Sequence, residues 1–228
     1  MDAVSSFLPS APARRQKGIA CRGGNWYAGA SNRLCVPARR RTRRPPARRQ
    51  DCGDAGCVMI HAAGYGDIPA LNAIELAAAA LFPPGMLPDA VLRECVPAAV
   101  LARAVAEGRL WVDRDACRRI TGYAFWERID GAALLAQIDV LPAYGRRGIG
   151  TSLVRHILGQ AGQAGLPHVY LTTFSTVAWN MPLYRKLGFV CIAAAEQPGF
   201  LRKILEDERK RGLEHRVAMR ATTADGHA

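Results

Sequence analysis

From residue 58 onward the apolar positions run in two periods, and the switches between them mark the elements. A short apolar run at 58–62 predicts a strand. Ile68, Leu71, Ile74, Ala78 and Leu81 then recur at helical spacing behind Asp67, a residue suited to an N-cap, with Pro69 in the first turn. Pro83, Pro84 and Gly85 end that helix. A second helix fits 89–107, broken or kinked at Pro97. Strands are predicted at 109–112, 120–129 and 134–140, with turns at 113–115 and at Asp130 and Gly131, the latter pair a strong hairpin signal.

The helical period returns at Ile149, Leu153, Val154, Ile157, Leu158 and Ala161 and stops at Gly165 and Pro167. A strand at 168–174, a short helix at 180–187 and a strand at 189–194 follow. The charged segment 198–210 reads as partly helical, and 214–221 as a last strand. This order predicts an α/β fold around a mixed sheet, mostly antiparallel in its first half. The domain so read spans residues 58–222, with 223–228 frayed.

Charge separates that domain from what precedes it. Residues 1–50 hold twelve of the 31 Lys and Arg residues but only one of the 19 acidic ones, Asp2. The stated net charge of +12 therefore sits almost wholly in the tail, and the body is close to neutral. Residues 1–57 are broken by prolines and carry an arginine block at 39–44, so they are expected to be a disordered tail or the product of a start placed upstream of Met59. Nucleic acid is not an expected partner of the domain. The chain shows no secretory signal and no run of eighteen apolar residues, so the expected location is the cytoplasm, with no membrane partner. Its cysteines and histidines lack metal-ligand spacing, and no metal is expected.

The chemistry concentrates in residues 138–151. A strand-like run stops at Pro142, a glycine-rich basic turn follows, and a helix begins at once. Backbone N–H groups and the positive end of a helix then converge on one spot, which suits a pyrophosphate. A P-loop would need a lysine before Thr151, and Gly150 stands there. A dinucleotide fingerprint would need a small residue near Leu153 and would normally open the domain rather than fall in its middle.

Together with Asn180, Tyr184, Gly188 and Phe189, this turn resembles the GNAT family of N-acetyltransferases. The family pattern, Gln/Arg-x-x-Gly-x-Gly/Ala after a strand ending in Val-x-Pro, is met by Val140, Leu141 and Pro142 and by Gly148, Ile149 and Gly150. It departs at Gly145, which takes the Gln/Arg position beside Arg146 and Arg147. The resemblance implies a mixed, mostly antiparallel sheet splayed after its fourth strand and flanked by helices. It implies acetyl-CoA as cosubstrate and an amine acceptor, in a monomer or homodimer. By the same resemblance, Ile138, Asp139 and Val140 would meet pantetheine, and Arg146, Arg147, Gly148, Ile149, Gly150 and Thr151 the pyrophosphate. Asn180 would add a further cofactor contact, and Tyr184 would protonate the departing thiolate. The positions where relatives carry a glutamate base hold Leu134 and Thr172 here. Asp139, facing opposite Ile138 and Val140 by strand alternation, is the candidate base or substrate contact, with Glu75, Trp126 and Glu127 as candidate acceptor contacts. Two other readings stay open: a catalytically silent acyl-CoA-binding module, and a nucleic-acid-associated protein acting through the basic tail.

Overall fold

The computed structural model describes residues 58–223. The tail reading for 1–57 falls outside the described residues, as does the frayed end from 224. Thr223 itself is not frayed: it is buried, its N–H donates to Pro167 O and its hydroxyl donates to Leu166 O.

The elements follow the predicted periods. β1 (Ile60–Ala62) leads through a 3₁₀ turn into α1 (Ile68–Ala79), and α2 (Ala98–Ala106) precedes the antiparallel run β2 (Leu110–Arg114), β3 (Ile120–Ile129) and β4 (Ala132–Val140). The long helix α3 (Ile149–Gln163), β5 (His168–Phe174), α4 (Asn180–Lys186), β6 (Val190–Cys191), α5 (Gly199–Lys210) and β7 (Arg216–Thr222) complete the chain. The seven strands form one sheet in the order β1-β2-β3-β4-β5-β7-β6. Every pairing is antiparallel except that of β4 with β5.

Several boundaries differ from the sequence reading for local reasons. The helix expected over 89–107 begins only at Ala98, because Pro97 lacks an N–H and drives Val96 toward extended backbone; a short 3₁₀ turn at Val91–Arg93 is all that forms before it. Asp67 does not cap α1 with its side chain. Its carboxylate takes the Gly64 N–H at 2.9 Å and the Arg114 guanidinium at 2.8 Å instead. Asp113, expected in a turn, lies inside β2. The strand expected at 189–194 shrinks to two residues on the edge of β7, whereas 199–210 is a full helix that buries Leu201, Ile204 and Glu208 along one stripe.

Two features of β4 position everything that follows. Its parallel pairing with β5 covers only Ala133↔Val169 and Leu134↔Tyr170, although β4 runs on to Val140 and β5 to Phe174. The two strands therefore part into a fork, with β5 continuing along β7 over its whole length. Ahead of the fork the register with β3 slips between Phe125↔Gln137 and Trp126↔Leu135, leaving Ala136 as the extra residue of a bulge. Beyond it, Ile138 and Val140 pack with α3, in a core shared with Leu153, Ile157 and Leu171. Asp139, paired with Tyr123, faces the other way, toward α1 and α2.

Candidate active site

The turn out of β4 has the geometry expected of an anion cradle. A 3₁₀ turn at Pro142–Tyr144 delivers the chain to Arg146, which adopts left-handed backbone at φ 59°, and to Gly148 at φ 82°. Gly148 is the N-cap of the fifteen-residue α3, and no side chain caps that end. The leading N–H groups of such a helix have no intrahelical partner and carry the positive end of its dipole. A Cβ at Gly148 would meet nothing within 4 Å, so the cradle opens outward. The Arg147 guanidinium lies 5.2 Å over the Tyr144 ring, whose hydroxyl donates to Asp115 at 2.8 Å. Under the turn, Gly122 of β3 lets α3 sit tight on the sheet: a Cβ there would stand 3.0 Å from Asp139 O and 3.2 Å from Ile149 Cγ2.

Within the fork, two buried polar side chains await partners. Both amide atoms of Asn180, at the start of α4, and the Thr173 hydroxyl of β5 are buried without a hydrogen bond among the described residues. Unsatisfied buried groups of this kind are costly and mark places where a ligand completes the structure. Tyr184 follows one turn along α4. It is fully buried on the α3 side of the sheet, its ring 5.6 Å from that of Phe189.

The opposite face of the same strand carries acid. Asp139 and Glu75 are both completely buried. Gln137 donates to Asp139 Oδ2 at 2.7 Å, the Val96 N–H donates to Glu75 Oε2 at 2.9 Å, and the Tyr123 hydroxyl reaches Glu75 Oε2 at 3.4 Å. Burial, then the neighbouring Glu75 charge, pushes the Asp139 carboxyl well above its usual range. Burial raises Glu75 to about 7 against the opposing pull of its Val96 and Tyr123 hydrogen bonds. Tyr123 is pushed up by burial and then by the two carboxylates.

A pH dependence of stability follows. The folded state holds the Glu75 proton more tightly than the unfolded chain does, so the folded state binds more protons and stability falls as pH rises. The loss runs from the ordinary value of 4.5 to about 7 and is on the order of 3 kcal/mol. Thermal melts across this window should show Tm dropping toward neutral pH, and Glu75→Gln should flatten that component. A parent Tm that rises over the same range would contradict it.

Of the residues singled out in the sequence, Glu75 and Asp139 come together. Trp126 lies on the other face, in the α3 core with Arg109 stacked 5.5 Å from its ring. Glu127 pairs with Arg103 beside Leu134, four positions along β3 from Tyr123. Thr172 is tied into a buried network that sequence reasoning missed: it donates to Glu208 of α5 at 2.7 Å, and Arg216 of β7 bonds both Glu208 and Thr172. Tyr123, Gln137 and Thr173 were also missed; the alternation of β3, β4 and β5 put them on the right faces, but only the pairing brings them to the fork. Among the described residues no group of three or more His, Cys, Asp or Glu stands ready to hold a metal, and no helix is long and apolar enough to cross a membrane.

Solved structures share this architecture. The ribosomal-protein-S18-alanine N-acetyltransferase from Escherichia coli aligns with a TM-score of 0.52 at 19% identity, over 73% of this chain and 94% of that one. The PaiA N-acetyltransferase from Thermoplasma acidophilum, in complex with coenzyme A, aligns with a TM-score of 0.55 at 14% identity, over 73% and 99%. N-acetylglutamate synthase from Neisseria gonorrhoeae, complexed with coenzyme A and N-acetyl-glutamate, gives 0.54 at 19% identity over 75% of this chain but 36% of its own. At these identities the likeness shows the fold. The sequence itself goes further, because residues 78–189 match the acetyltransferase (GNAT) family, a span that contains the fork, the turn into α3 and all of α4. Residues 78–189 are an acetyltransferase domain of the GNAT family, and the fork between β4 and β5 lies within that span.

Proposed function

We propose that the chain moves an acetyl group from acetyl-CoA to a primary amine by direct attack of the amine on the thioester. The observation that carries this reading is the fork, in which β4 leaves β5 after Leu134 and ends at a glycine-rich turn opening α3. Backbone groups of Ile138, Asp139 and Val140, released from pairing with β5, suit the amides of pantetheine. The N–H groups of Gly148, Ile149, Gly150 and Thr151, with Arg146 and Arg147, suit the pyrophosphate. Asn180 and Thr173 offer unsatisfied polar groups between them.

Acetyl-CoA supplies the activated acyl carbon, and the protein contributes mainly orientation. The amine nitrogen bonds to that carbon and the carbon–sulfur bond breaks. Of the two protons that an ammonium must shed, Asp139 takes one and passes it to solvent. The other returns to the Tyr184 oxygen, whose own proton goes to sulfur. Glu75 belongs with Asp139 on the acceptor side; Trp126 lies on the other face and Glu127 farther along β3.

The test is a screen of amines with acetyl-CoA and the full chain, read as free thiol. At least one amine should release thiol above the rate of hydrolysis. Asp139→Asn should then lower turnover at neutral pH by roughly a hundredfold, within the usual range for one general base, while calorimetric affinity for acetyl-CoA stays the same. Binding of acetyl-CoA without thiol release from any amine would overturn the catalytic reading.

A further inference from the structure

The scheme above sets Glu75 beside Asp139 without giving it a task, yet it is a fully buried acid. It lies on α1, wholly buried, with the Oε1 atom unbonded among the described residues, and the same is true of Asp139 Oδ1 on β4. Two orphaned carboxylate oxygens in an apolar interior are each costly. The groups around them offer little relief. Tyr123 from β3 touches both carboxyl groups, Gln137 from β4 donates to Asp139, and the segment before α2 contributes the Val96 N–H and the thiol of Cys95. No Lys, Arg or His among the described residues pairs with either acid. Burial, then Glu75 and Asp139 together, pushes the Cys95 thiol up, so it adds no charge that could help.

One proton resolves the arrangement. A carboxyl group donating to a neighbouring carboxylate satisfies both orphaned oxygens and leaves one negative charge where two would repel. We propose that Glu75 and Asp139 share a single proton and act as one base, with Glu75 the positioning residue that sets the proton affinity of Asp139. The inference rests on the acetyltransferase reading above. It extends that reading by assigning the acceptor side a paired-acid site for a cationic amine: the single charge attracts the ammonium, and the pair takes its proton. The proton affinity is then a property of the pair, matched to neutral pH.

The test uses the full chain and two measurements. The first is the pH–rate profile of kcat with an amine found in the screen. Glu75→Gln replaces the carboxyl donor to the Asp139 carboxylate by a weaker amide donor, so the acidic limb should move up by about one pH unit or more, with KM for acetyl-CoA unchanged. A superimposable profile would overturn the pairing. The second needs neither turnover nor the variant's activity: infrared difference titration of the parent should show a protonated carboxyl band that persists to neutral pH, and Asp139→Asn should remove or shift it. Absence of such a band from the parent at pH 6 would overturn the shared proton. If no amine is acetylated, the transferase reading fails, and the infrared titration still decides whether the two acids share a proton.

Discussion

Tyr184→Phe lowers kcat by roughly ten- to a thousandfold, the span for one general acid, and leaves acetyl-CoA affinity as it was. The substitution deletes one oxygen and keeps the ring that packs against Phe189. Because Tyr184 is completely buried at the heart of the α3 core, a larger change would confuse packing with chemistry, and this one does not. A phenol near pKa ~10 is a matched donor to an alkyl thiolate, so its loss should appear in the chemical step. Single-turnover rates should fall as far as steady-state rates do. A variant whose single-turnover rate equals that of the parent would reduce Tyr184 to packing.

Gly148→Val should weaken acetyl-CoA binding by at least about a hundredfold, since a phosphate held by backbone N–H groups tolerates no side chain between them. The residue sits at φ 82°, where a β-branched side chain costs on the order of 1–2 kcal/mol. The added carbon would touch nothing in the protein itself, so the domain should stay folded. Gly148→Ala separates the two effects: it carries most of the backbone strain with little of the volume. Calorimetric titration of both variants, with circular dichroism to follow folding, checks this. Normal binding by the valine variant would put the pyrophosphate elsewhere.

The parts legible in the sequence were those whose signal is local. The strand, glycine turn and helix over 138–151 announce themselves by a change of period next to residues that only a turn requires, and the short helix at Asn180 does so by its terminal Gly188, whereas Asn180, read as its cap, is its first helical residue and caps nothing. The acid pair was visible as two residues 64 positions apart, Glu75 and Asp139, without any sign that they meet, because their meeting depends on how α1 lies across β3 and β4. The same holds for the Thr172, Glu208 and Arg216 network, which ties α5 and β7, beyond the family match, to Thr172 within it and has no local signature. Pro97 was read as a kink inside a helix, when the absent N–H makes it a beginning. Trp126 was read as a candidate acceptor contact, but one position along a strand changes the face, and Trp126 faces α3.

Ala136 turns that last point into a constraint on the length of the chain. The bulge makes β4 count one residue more than β3, and so sets the parity of every position from Gln137 to Val140. Removing a single residue there, whatever its identity, would swap the two sides: Asp139 would be driven into the aliphatic packing beneath α3, and Ile138 and Val140 would turn toward Glu75. A substitution at Ala136 changes volume at one point, whereas a deletion rewrites both faces at once and shortens the lead into the phosphate turn. Selection on this segment should therefore act on the number of residues between Leu134 and Gly148 more strictly than on which residues they are.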